Sequence, residues 1–325
     1  MKEHISNIRE LINRRAASLP LDREPSGLYK PIAYEFSLGG KRLRPILACL
    51  SYELYGENIE DIMPAALGLE TYHNFTLLHD DLMDRSDIRR GKPTVNVVWD
   101  DNTAILSGDA MTMIACRLAL GSPATSLREV MDIFTQTALE ICEGQQYDMD
   151  FENREDVTAE EYIEMIRLKT SVLLAASLKI GAVVGGASAE EAEKLYQFGI
   201  KSGLAFQLQD DWLDTYGDTA IFGKNTGDDI ADNKKTYMLI TALERAEGKT
   251  RDELLKWINA KEFDREEKVG AVKRIYDETG AGKACLDMID KYYEEGLKIL
   301  RSVKADEDKK KPLEYYIKQL KIRDL

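Results

Sequence analysis

Cysteine, histidine and proline are scarce in this 325-residue chain, with four, three and eight of each. The thiols, Cys49, Cys116, Cys142 and Cys285, have neither the density of a disulfide-stapled secreted domain nor paired metal-ligand spacing, so they read as reduced core residues. Three histidines are too few to suggest zinc. No Pro-, Gly- or Ser-rich linker divides the chain, and one domain over residues 1–325 is the simplest organisation. A long clean apolar run is also missing: the most apolar stretch, Ser171 to Ala187, carries Lys179 at its centre. It falls short of the roughly 18 residues of a spanning helix, so no membrane span is expected. The N-terminal stretch MKEHISNIRELINRRAASLP alternates charged and apolar residues, unlike a secretory signal, and a cytoplasmic protein is expected. Positive charge is in deficit, 44 Lys and Arg against 58 Asp and Glu, for a net charge of −14. That balance argues against a nucleic-acid surface, which needs a broad cationic excess.

Helical punctuation, by contrast, is plentiful. Thr158 with Glu161 and Ser188 with Glu191 both have capping-box spacing, in which a hydroxyl and a carboxylate satisfy each other's amides. The first predicts a helix over about 159–184, stopped by Gly185 and Gly186; the second predicts one over about 189–216, stopped by Gly217. Asp61 with Pro64 opens another, with Ala65, Leu69, Tyr72, Thr76 and His79 at helical spacing and an end near Arg85. Period-two alternation is nearly absent: its best case, Thr94 to Trp99, is short, so the fold class is all-α with essentially no sheet.

Asp80, Asp81 and Asp84 spell D-D-x-x-D, and Asp210, Asp211 and Asp214 spell it again 130 residues later. Positions i and i+4 of a helix lie about 40° apart, so each motif presents two carboxylates on one face. Two such faces opposed would form a cation cage. Hard oxygen donors without an EF-hand loop suit Mg²⁺ bridged to substrate phosphates. A solvated acidic face could explain one motif; two, each following an apolar run, suggest that a cation offsets their repulsion.

Basic residues are interspersed. Lys41, Arg42 and Arg44 follow Gly39-Gly40, and Arg89 and Arg90 follow the first acidic motif. Lys169-Thr170 lies inside an apolar helical stretch, where a long cation beside a hydroxyl calls for a buried or cleft anion. Without a P-loop, this mixture describes a site for more than one diphosphate group rather than for a nucleoside triphosphate.

From Gly39 to Lys235 the chain resembles the trans-isoprenyl diphosphate synthases, the polyprenyl synthetase family. The matching segments are GGKRLRP, His73 with HDDLMD, the arginine pair, GQQYD at 144–148, Lys169-Thr170, FQLQDDWLD, FGK ending at Lys224, and DNKK with Lys234. The resemblance implies a single bundle of antiparallel helices around a deep cavity, usually as a homodimer. It implies Mg²⁺ held by Asp80, Asp84 and Asp210, with Asp81 and Asp214 in support. Arg89, Lys169, Thr170, Gln207, Lys224 and Lys234 would bind the allylic diphosphate, and Lys41, Arg44, His73 and Arg90 the isopentenyl diphosphate. The reaction implied is ionisation of the allylic diphosphate, condensation and proton loss, with no covalent intermediate.

Residues four and five places before the first Asp, Thr76 and Phe75, form the floor for the growing chain in this family. Phe75 suggests C15 to C20 products, farnesyl or geranylgeranyl diphosphate. On a helical wheel Phe75 falls about 140° from Asp80, so it could belong to core packing, with Tyr72 supplying or sharing the floor. Three rivals stand beside the synthase, the blandest an acidic cation-binding helical protein whose motif match is accidental, which would leave Lys169-Thr170 and Gln207 unexplained. A terpene cyclase would alter the second acidic motif and lack the isopentenyl diphosphate clamp. A non-catalytic partner subunit would lose one motif or part of the clamp.

Overall fold

A computed structural model describes residues 1–217 and 226–322, and it is helical nearly throughout. The chain forms two compact units, each discontinuous in sequence: Met1–Thr137 with Leu173–Tyr196 and Ser302–Leu325, and Ala138–Val172 with Gln197–Arg301. The helices are α1 Lys2–Ala17, α2 Ser26–Ser37, α3 Leu43–Tyr52, α4 Met63–Met83, α5 Val95–Val98, α6 Asp101–Ala119, α7 Leu127–Glu152 and α8 Ala159–Ile166. They continue with α9 Val172–Gly185, α10 Ala189–Tyr216, α11 Asp228–Ala231, α12 Tyr237–Arg245, α13 Gly248–Ile258, α14 Arg265–Thr279, α15 Ala281–Ser302 and α16 Glu307–Ile322.

In the first unit α4 packs along α6, α3 lies against α4 and α16, and α1 closes over α3. Pro64 sits in the first turn of α4, where its missing N–H breaks no helical bond. Ile32, Leu78, Val95, Ala104 and Met111 form an apolar cluster joining α2, α4, α5 and α6. In the second unit α14 is the hub, touching α11, α12 and α13, while α12 also meets α8.

The Thr158–Glu161 capping box is complete, with both reciprocal bonds. At Ser188 the expected box is half made. The hydroxyl accepts the Glu191 N–H at 3.3 Å, but the buried Glu191 carboxylate is taken by Lys194 and by the Lys304 amide at 2.6 Å. A tertiary partner has displaced the local one. The helix expected over 159–184 runs to Gly185, with a π-turn inserted at Arg167–Ser171. Residues 159–185 are long and apolar enough to cross a membrane, yet 72% of the most apolar window is buried inside the protein.

Two expectations are corrected. Thr94–Trp99 is not extended: residues 95–98 are helical, because the Thr94 N–H and hydroxyl close back onto Asp87 and Ser86 and end the extended run there. The extended residues are instead Ile88–Arg89 and Lys92–Pro93, a two-rung antiparallel ladder turned by Arg90 and Gly91, both at positive φ. The thiols are unpaired as expected, but only Cys49 and Cys285 are buried; Cys142 is exposed.

Candidate active site

The basic segment after Gly39-Gly40 is shaped by a left-handed residue, Arg42, at φ 54°, which precedes α3. Its guanidinium is locked: Nε donates to Asn13 Oδ1 at 2.9 Å and Nη1 to Glu70 Oε1 at 2.8 Å, with both charged partners more than nine-tenths buried. Lys41 is exposed, and Arg44 sits in the first turn of α3, where burial pulls its pKa down to about 10 against the pull of Glu70. His73 follows Glu70 by three residues on α4. Burial, then Arg44, Arg90, Arg89 and Arg42, hold its imidazole well below the usual range, so it is neutral. Its Nδ1 is buried and makes no hydrogen bond among the described residues.

The arginine pair divides at the hairpin turn. Arg89 donates to Asp81 Oδ2 at 2.7 Å, whereas Arg90, in the left-handed turn position, donates to the Gly39 carbonyl. Asn or Gly ordinarily fills such a seat, so an arginine there is a candidate for function. The hairpin is strapped to α2 by the Tyr34 hydroxyl, which donates to the Pro93 carbonyl at 2.7 Å. Beneath lies Glu35, fully buried, with neither oxygen hydrogen-bonded among the described residues. Burial and Asp81 push its carboxyl up to about 7, against Arg89 and Arg90. Sequence reasoning passed over Glu35; its signal was its place three residues after Ile32, on the buried face of α2.

Both acidic motifs fall at helix C-termini, where the exposed carbonyls add negative potential and favour cations. Asp84 is the C-cap of α4, and Asp210, Asp211 and Asp214 occupy the last two turns of α10. Within each motif some carboxylates are committed internally. Asp81 is held by Arg89, Asp211 accepts from the Tyr162 hydroxyl and the Gln207 amide, and Asp214 Oδ2 accepts the Asp229 N–H at 3.1 Å. Burial raises the pKa of Asp211, Asp214 and Asp229, the last well above the usual range. Among the described residues no three acidic, histidine or cysteine side chains converge as a preformed metal cage. Mg²⁺ does not need one, since it keeps waters and is held by one or two carboxylates with substrate phosphates. Hard carboxylates crowded at negative helix ends fit such an ion.

The second unit brings Lys169, Thr170 and Gln207 together. Lys169 and Thr170 lie on the π-turn, a distortion that re-aims side chains. Lys169 Nζ meets Asp148 Oδ2 at 2.6 Å, the internal anion its apolar setting calls for. Thr170 Oγ1 donates to Gln207 Oε1 at 3.0 Å, and Gln207 Nε2 passes the chain to Asp211 Oδ1 at 3.0 Å. Gly144 permits this packing, because a Cβ there would run into the Lys169 backbone nitrogen. GQQYD is thus tied to Lys169, and QDD to Thr170 through Gln207, so that adjacent residues of the π-turn hold both segments. Lys234 is exposed just beyond α11, and Lys224 lies outside the described residues.

Phe75 is half-buried, its ring 5.2 Å from Tyr72 and 4.8 Å from His79, packed against the α2–α4–α6 cluster. Tyr72 is buried against Phe134, and the Thr76 hydroxyl turns back to the His73 carbonyl at 2.8 Å.

Similarity to known proteins identifies the family and the fold. The family model for polyprenyl synthetase matches residues 25–278. A geranylgeranyl diphosphate synthase of Methanosarcina mazei is 46% identical over 229 residues, 70% of each chain. A geranylgeranyl pyrophosphate synthetase from Pyrococcus horikoshii superposes with a TM-score of 0.92 at 31% identity, covering 99% of this chain and 98% of that one. A geranylgeranyl pyrophosphate synthase from Corynebacterium glutamicum, solved with isoprenyl diphosphate and magnesium, gives 0.88 at 27% identity, covering 98% and 99%. With the family model spanning both acidic motifs and every basic segment between them, the chain belongs to the polyprenyl synthetase family.

Proposed function

We propose that the protein is a magnesium-dependent trans-prenyltransferase that condenses isopentenyl diphosphate with an allylic diphosphate, releasing diphosphate and extending the chain by five carbons. The observation that carries this reading is the pair of contacts by which Lys169 holds Asp148 and Thr170 holds Gln207 and, through it, Asp211, so that three separated motifs meet at one π-turn. Residues 1–325 work as one synthase domain, in keeping with a family match that draws on both units. The test is purified protein with Mg²⁺, isopentenyl diphosphate and dimethylallyl, geranyl or farnesyl diphosphate, with products sized by chromatography. Stepwise C5 growth is expected; cyclic hydrocarbons or no growth would refute the synthase.

Asp80, Asp84 and Asp210 hold magnesium, an assignment supported by the donor chemistry and by the magnesium in the related solved structure. When bound, the ion withdraws charge from the leaving diphosphate. Lys169, Lys224, Lys234 and Arg89 add cationic stabilisation as the carbon–oxygen bond breaks, with Thr170 and Gln207 fixing the phosphate oxygens. Lys41, Arg44, Arg90 and neutral His73 orient isopentenyl diphosphate, whose double bond attacks the allylic cation; loss of a proton to the departing diphosphate then restores the double bond. The divided arginine pair makes a separable prediction. Arg89→Gln should raise the Michaelis constant for the allylic substrate about tenfold, and Arg90→Gln that for isopentenyl diphosphate. Indistinguishable effects would remove the division.

The M. mazei relative supports geranylgeranyl diphosphate, C20, within the C15 to C20 range. Phe75→Ala should lengthen the product by one or more C5 units, read as retention time, if Phe75 with Tyr72 and Thr76 floors the cavity; an unchanged length assigns Phe75 to core packing alone. A second copy of the chain is the proposed partner, supported by Ile105, Leu106 and Met113, all about half exposed on one face of α6. The free cysteines are in keeping with a cytoplasmic enzyme.

A further inference from the structure

Lys268 is fully buried, an expensive setting for an ammonium unless its partners are well placed. Its Nζ donates to the Ala231 carbonyl at 2.8 Å, at the C-terminal end of α11, where a cation is favoured. The Phe263 ring, 40% exposed, lies 4.1 Å from Nζ and shields it from solvent. One turn earlier on α14, Arg265 donates to the Thr226 carbonyl at 3.0 Å and to Asp228 Oδ1 at 2.5 Å. The first turn of α14 therefore grips both ends of α11.

A Schellman turn ends α11. Asn233 is left-handed at φ 55°, its N–H donates to the Ile230 carbonyl at 3.2 Å, and the Lys234 N–H donates to the Asp229 carbonyl at 2.9 Å. The Asn233 amide also donates to the Ile258 carbonyl at 3.1 Å. The backbone of Lys234 is thus hydrogen-bonded to the short helix that Lys268 and Arg265 hold, and four residues is too short for a helix to persist alone.

We propose that Lys268, with Arg265, is a positioning residue for the reaction: by clamping α11 it fixes the Schellman turn and hence where Lys234 meets the allylic diphosphate. This rests on the synthase reading for the role of Lys234. Lys268→Met keeps the apolar stem and removes the charge. It should raise the Michaelis constant for the allylic substrate about tenfold while leaving kcat and the constant for isopentenyl diphosphate within about twofold. In a Lys234→Ala background the same substitution should add less than about twofold, because its effect passes through that lysine. Arg265→Gln, at the exposed end of the clamp, should act in the same direction with a smaller rise, and serves if Lys268→Met does not fold. Hydrogen exchange over residues 228–236 should quicken in either variant, whether or not the chain elongates prenyl diphosphates. Unchanged exchange, additive effects in the Lys234→Ala background, or equal rises for both substrates would overturn the clamp; a parent protein that fails to elongate would instead remove the synthase.

Discussion

Asp80→Asn should lower chain elongation by about three orders of magnitude, and Asp210→Asn by a similar factor. Asparagine keeps the shape of the side chain but loses the charge that draws a hard cation. Asp80 stands one turn before Asp84, the C-cap of α4, and Asp210 stands in the last two turns of α10, so both add negative charge to helix ends that already carry it. Neutralising Asp80 removes its repulsion of Asp81 together with its attraction for Arg89, and neutralising Asp210 removes its repulsion of Asp211, so the loss of activity is read against any change in stability. Turnover at saturating Mg²⁺, read beside the melting temperature, checks this. Activity within about tenfold of the parent would contradict the assigned metal role.

Arg42→Met should destabilise the protein by about 3–5 kcal/mol, because it strands the Glu70 charge in the interior. Glu70 is 3% exposed, its Oε2 already lacks a hydrogen bond among the described residues, and Arg42 Nη1 at 2.8 Å is the cation hydrogen-bonded to it, with Arg44 and Arg90 also in its field. The same substitution releases the left-handed turn that joins Lys41 to Arg44, so affinity for isopentenyl diphosphate should fall with stability. Adding Glu70→Leu should recover most of the stability but not the affinity, since an apolar pair can replace a buried ion pair while leaving the turn unanchored. Denaturant unfolding gives the first quantity and steady-state kinetics the second. A loss below about 1 kcal/mol in the single variant would mean the pair is not the anchor described.

Helices were legible where local chemistry decides them. Thr158 with Glu161 and the glycines after α9 and α10 needed no distant partner, and their boundaries fell within a residue or two of the expected ones. Ser188 with Glu191 carries the same local signal, yet half of that box was lost to Lys304, more than a hundred residues away. The hairpin at 88–93 was missed because arginine is a poor predictor of a left-handed turn; Arg90 occupies the seat against its propensity. Among the candidate site residues, the paired acids and Lys169-Thr170 stood out by spacing and setting, while Gln207 came only with the family resemblance. Glu35, Asp229 and Lys268 did not stand out, since their character comes from burial by residues remote in sequence. The π-turn under Lys169 belongs with them: nothing in RLKTS announces it, and its fit depends on the bare backbone of Gly144.

The most direct measurement counts diphosphate released against five-carbon units incorporated, in one reaction of the purified protein with an allylic diphosphate and labelled isopentenyl diphosphate, with and without a Mg²⁺ chelator. A magnesium-dependent synthase releases one diphosphate per unit added, and forms neither product once magnesium is removed. Diphosphate release without chain growth, or growth that persists in the chelator, would contradict it.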